Sequence, residues 1–137
     1  MCSGIWIALK IINILKMNLF LKITAIFEGL TGLFLIIAPQ IFIQILFLSK
    51  VEEASAIFIA RIAGSALFSL ALLCWYTKDS IRLLLKILLF YNTAAVIIAI
   101  YSIFNFSLKG IGVEVIICFH LLFALWNMLV LKKQRIN

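Results

Sequence analysis

The sequence predicts an all-α integral membrane protein: an up-down four-helix bundle with short interfacial helices. Three observations predict it. Of the 137 residues, 66% are hydrophobic and 12% charged, with a mean hydropathy of +1.27, against roughly 45–50% apolar and about 25% charged in soluble domains. The apolar residues fall into four runs, each near the length of about 20 residues that crosses hydrocarbon. Each run also carries one strongly polar residue near its middle, Glu28, Arg61, Asn92 or His120. Such a group costs about 2.5–3.5 kcal/mol at bilayer depth on insertion scales, so one per run implies that they meet inside a bundle.

Residues 1–17 precede the first run. Ile5–Leu15 is apolar but too short to span, and Lys10, Asn13 and Lys16 recur every three residues. That narrow polar stripe suits a helix lying in the interface. No small-residue cleavage site precedes Met17, which argues against a secretory signal, and Met17 is itself an alternative start.

Residues 18–137 form the membrane domain. Span one runs from Phe20 to Ala38 and stops before Pro39, because the residue preceding proline is pushed out of helical geometry. Gln40–Leu48 is expected to be a short interfacial helix with proline in its first turn. Lys50–Glu53 is a polar turn. Span two covers Ser55–Tyr76, closed by Trp75 and Tyr76 at headgroup level. Span three covers Leu84–Phe104, Asn105–Gly110 turns, and span four covers Gly112–Leu131. Connections this short favour antiparallel neighbours. Ala56, Ala60 and Gly64 on span two, and Gly29 and Gly32 on span one, offer small faces for close helix approach.

Charge orients the chain. Lys10, Lys16, Lys22, Lys78, Arg82, Lys86, Lys132, Lys133 and Arg135 flank one side, and Lys50 and Lys109 the other. The positive-inside rule then places both termini in the cytoplasm, as in a bacterial inner membrane protein. The net charge of +7 is accounted for by a basic face toward anionic lipid, without nucleic acid.

Depth follows from a rise of about 1.5 Å per residue: roughly 12 Å from the cytoplasmic edge for Glu28 and Asn92, roughly 20 Å for Arg61 and about 18 Å for His120. Thr31 shares the Glu28 face, Ser65 the Arg61 face and Asn127 the His120 face, by helical spacing. Two roles are open to this set. In one, Glu28 pairs with Arg61 while Asn92 and His120 complete the hydrogen bonds, fixing helix register. In the other, the cluster lines a cavity for a small amphipathic molecule or a partner helix, or it passes protons. A haem with two axial histidines, a metal triad, a Ser–His–acid triad and a phosphate loop all lack residues: there is one histidine, and Cys2, Cys74 and Cys118 are mutually isolated. The expectation is a non-enzymatic binding or accessory protein without cofactor or metal. Alternatives are a small proton-coupled transporter or relay, and a membrane subunit of a quinone-linked redox complex.

FEGLTGLFLIIAP (Phe27–Pro39), ARIAGSALFSLALLCW (Ala60–Trp75), the Tyr91–Asn92 pair and the His120–Trp126 spacing resemble small uncharacterised bacterial four-span membrane proteins. The resemblance covers most of Asn18–Leu131. More distantly, the arrangement is similar to the DoxX-like group. That resemblance implies a four-helix membrane fold, and for some members a subunit role in respiratory or thiol-linked redox complexes. The chain has no paired cysteines of the kind thiol chemistry uses.

Overall fold

The structure is a computed structural model that describes the backbone of residues 2–133 and the side chains of residues 11–132 except Asn13. Among the described residues there are five helices: α1 (Cys2–Ile37), α2 (Pro39–Phe47), α3 (Ala54–Tyr76), α4 (Ile81–Phe106) and α5 (Ile111–Lys133). Four stretches are long and apolar enough to cross a bilayer, Ile14–Ile37, Ala54–Tyr76, Ile81–Phe106 and Ile111–Lys132. The protein is a multi-pass helical membrane protein. Its lipid-facing surface follows from the same chemistry, because large side chains such as Leu30, Phe58, Ile98, Phe104 and Leu122 stand exposed around the outside.

The first helix departs from expectation. Residues 2–16 continue directly into the first span as one 36-residue helix, where a separate interfacial helix was expected. Nothing between Lys10 and Lys22 breaks a helix: the segment holds no proline or glycine, and propagation costs less than a new start. The side chains of Lys10 and Asn13, two members of the expected polar stripe, lie outside the described residues, as does Arg135 of the basic tail.

Proline ends α1 where the sequence requires it. Ala38 leaves helical geometry at φ −136° and ψ 58°, and Pro39 takes the first turn of α2. Leu48 then closes α2 in the left-handed region at φ 52°, its N–H bonded to the Gln44 carbonyl. After α4, Gly110 adopts φ +130°, and α2 rests on it: a Cβ there would stand 2.6 Å from the Leu46 carbonyl oxygen.

Packing divides the molecule lengthwise. The closest pair is α1 with α3, whose small residues face one another at Gly29 against Ala71 and Gly32 against Gly64. The pairs run in opposite senses. α4 and α5 form the second pair, also antiparallel by the contacts of Leu85 with Asn127 and Asn92 with His120. Aromatic contacts join the pairs, Phe20 against Phe123 and Trp126, and Phe27 stacked on Phe119 at 4.7 Å between ring centres. Met17, Phe20, Leu21, Cys74, Leu85, Leu88 and Phe123 build the apolar core at one end. At the other end, beneath α2, the helices leave a cavity.

Candidate functional site

The cavity has a volume of about 490 Å³ and every helix contributes to its wall. α1 supplies Phe27, Glu28, Thr31 and Leu35; α2 supplies Phe42, Ile43, Leu46 and Phe47. Leu67 comes from α3, Tyr91 from α4, and Val115, Ile116 and His120 from α5. Most of the lining is apolar, and the polar side chains gather where the cavity meets the core. A mostly apolar concavity with a few convergent polar groups is the usual form of a small-molecule site.

Glu28 sits at this junction and is 1% exposed. The Tyr91 hydroxyl donates to its Oε2 at 3.1 Å. Its Oε1 has no hydrogen-bond partner among the described residues. A buried carboxyl oxygen without a donor is costly, since burial removes water and supplies nothing in exchange.

His120 lines the same cavity. Its Nδ1 lies 2.8 Å from Asn92 Oδ1, while the Asn92 amide donates to the Leu88 carbonyl at 2.7 Å. With its N–H₂ committed to Leu88, Asn92 presents an acceptor to the histidine. In the neutral ring Nδ1 therefore carries the proton and Nε2 keeps its lone pair. The Tyr91 ring stands edge-on to His120 at 5.4 Å between centres, so the Glu28–Tyr91 and His120–Asn92 pairs are neighbours.

The structure brings together Glu28, Asn92 and His120, with Thr31 on the cavity wall. Asn127 is fully buried but belongs to the core end, where its amide donates to the Leu85 carbonyl at 2.7 Å. Two expected members do not join. Arg61 is exposed, and Ser65 spends its hydroxyl on the Arg61 carbonyl one turn back at 3.0 Å. The Glu28–Arg61 pairing is thus corrected: Oε2 is bonded to Tyr91 and Oε1 to nothing. The physical reason lies in α3 itself. Its packed face is Ala60, Gly64, Ala71 and Cys74, and Arg61, one position on from Ala60, is rotated about 100° away. Close backbone packing took the face, and the arginine turned outward.

Sequence reasoning missed Tyr91 as a member of the cluster. The available signal was its depth: tyrosine is expected in the headgroup belt, and a phenol in mid-span needs a hydrogen-bond partner. It also missed the α2 wall, because a short apolar helix carries no mark of what lies beneath it. Among the described residues no three His, Cys, Asp or Glu side chains converge as a metal site would need. No family model, curated protein or solved structure matches the chain.

Proposed function

We propose that this chain is an inner-membrane binding or accessory protein that holds a small amphipathic molecule in the cavity beneath α2. The four spans cross up-down-up-down with both termini in the cytoplasm, following the basic residues that flank Ile14, Tyr76, Ile81 and Lys132. The cavity then runs from mid-membrane, at Glu28 and Tyr91, toward the outer side beneath α2. The observation that carries this reading is Glu28: fully buried, lining a cavity of about 490 Å³, and holding one carboxyl oxygen without a partner. Asn127 Oδ1 is also buried without a partner, but of the two residues Glu28 is the one that lines the cavity, where a bound molecule could supply the missing donor.

The test is native mass spectrometry from lipid nanodiscs, wild type beside Glu28→Gln. A small molecule retained by wild type and lost from the folded variant supports binding at the cavity. A wild-type chain carrying nothing beyond bulk lipid, or an equal load in both proteins, sinks it.

A second reading, a proton relay, draws on the adjacency of the Glu28–Tyr91 and His120–Asn92 pairs. It requires a pH-driven flux in proteoliposomes that His120→Ala removes.

A further inference from the structure

With Glu28 ionised, as a bound cation would favour, the polar groups on the cavity wall have a common character: nearly all can only accept a hydrogen bond. Glu28 lines the cavity, and its buried Oε1 has no partner among the described residues. Tyr91 has used its proton on Glu28 and keeps only oxygen lone pairs. His120 has used its Nδ1 proton on Asn92, leaving Nε2 as an acceptor in the neutral ring. Thr31 is the one group able to donate or accept, and among the described residues no lysine or arginine lines the space. A molecule that satisfies this wall must bring protons, and one facing a carboxyl in a low-dielectric site gains most by bringing positive charge as well. The rest of the wall agrees. Phe27, Phe42, Phe47 and Tyr91 contribute aromatic rings to the same cavity, and aromatic faces attract cations most strongly where water is excluded.

Resting on the binding-protein reading above, we propose that the cavity takes an amphipathic organic cation. Its ammonium N–H groups bond to Glu28, and its apolar body fills the space between α2 and α5.

Phenylbutylamine and its neutral analogue phenylbutanol test this directly. Both are titrated calorimetrically into wild-type protein in phosphatidylcholine nanodiscs, with empty nanodiscs subtracting partition into lipid. The amine is expected to bind saturably, on the order of one per chain, and more tightly than the alcohol by about tenfold or more, the worth of a charge-assisted hydrogen bond. Glu28→Gln should erase that preference. Ile43→Trp fills the cavity from α2 without touching Glu28 and should remove both ligands.

Equal binding of amine and alcohol, blocked by Ile43→Trp, overturns the cation class and leaves the cavity reading standing. An amine preference that survives Glu28→Gln overturns it as well. Saturable binding of neither probe to wild type overturns both. Should Glu28→Gln fail to fold, the wild-type preference and its loss in Ile43→Trp decide the matter alone.

Discussion

Gly32 and Gly64 approach so closely across α1 and α3 that a Cβ on Gly32 would lie 2.7 Å from the Gly64 carbonyl oxygen, and one on Gly64 2.7 Å from that of Gly32. The atoms met are backbone, which cannot rotate aside as a side chain can. In a bilayer, where lipid is as apolar as leucine, this close fit is the main attraction between the two helices.

Gly32→Ala and Gly64→Ala should therefore each destabilise the protein, by about 1–3 kcal/mol as overpacking does. Gly29→Ala should be far milder, because its Cβ would meet the Ala71 methyl at an ordinary 3.4 Å. Thermal unfolding in detergent, followed by helical circular dichroism, checks the order of the three. Equal losses at Gly29 and Gly32 would show that the α1–α3 crossing is looser than described.

Arg61 leads to a prediction of opposite sign. It stands exposed on α3 and its side chain has no part in the Glu28 site. Arg61→Leu should leave the fold intact and favour insertion, since arginine at depth costs about 2.5–3.5 kcal/mol. Combined with Glu28→Gln, its effect should add within about 0.5 kcal/mol, as for residues that share no partner. A large coupling in that cycle, read from unfolding in detergent, would restore the ion pair and refute the outward placement.

The contrast between these two sites shows what the sequence could convey. Span positions were legible because hydrocarbon demands long apolar runs, and Pro39 had to end α1 because its ring bars a helical residue before it. Glu28, Asn92 and His120 were legible as a group because burial is the cheapest fate for each. Arg61 followed the same rule and went the other way. Its long side chain can carry the charge toward the interface while the stem lies in lipid, so depth alone does not force it inward. The decision fell to Ala60 and Gly64, which occupy the competing face. Tyr91 and the α2 wall depended on which helices become neighbours, and no spacing within one helix encodes that.

Asn127 ties α5 to α4 through its 2.7 Å bond to the Leu85 carbonyl. Asn127→Leu should cost about 0.6 kcal/mol, with an upper bound near 1.7 kcal/mol, the range found for hydrogen bonds between membrane helices. The loss is modest because the Asn127 Oδ1 is itself buried without a partner, and leucine removes that burden together with the bond. Because Asn127 lies at the core end, occupancy of the cavity should not change. A variant that folds normally but loses its ligand would place Asn127 in the site after all.

Tyr91→Phe tests the site from its other wall. The phenol hydroxyl supplies the one hydrogen bond found for Glu28 among the described residues. Its removal leaves both carboxyl oxygens bare, a penalty of about 1–3 kcal/mol. In a Glu28→Leu background the tyrosine has no carboxyl to satisfy, so the same substitution should cost much less. The cycle should therefore show coupling well above the additivity limit of about 0.5 kcal/mol, in contrast to the Arg61 cycle. Ligand binding should respond differently from stability. With Oε1 and Oε2 both open, a donor in the cavity gains a second acceptor, and phenylbutylamine should bind to folded Tyr91→Phe at least as tightly as to wild type. Binding lost from the folded Tyr91→Phe protein would mean that the Tyr91 hydroxyl holds the ligand itself.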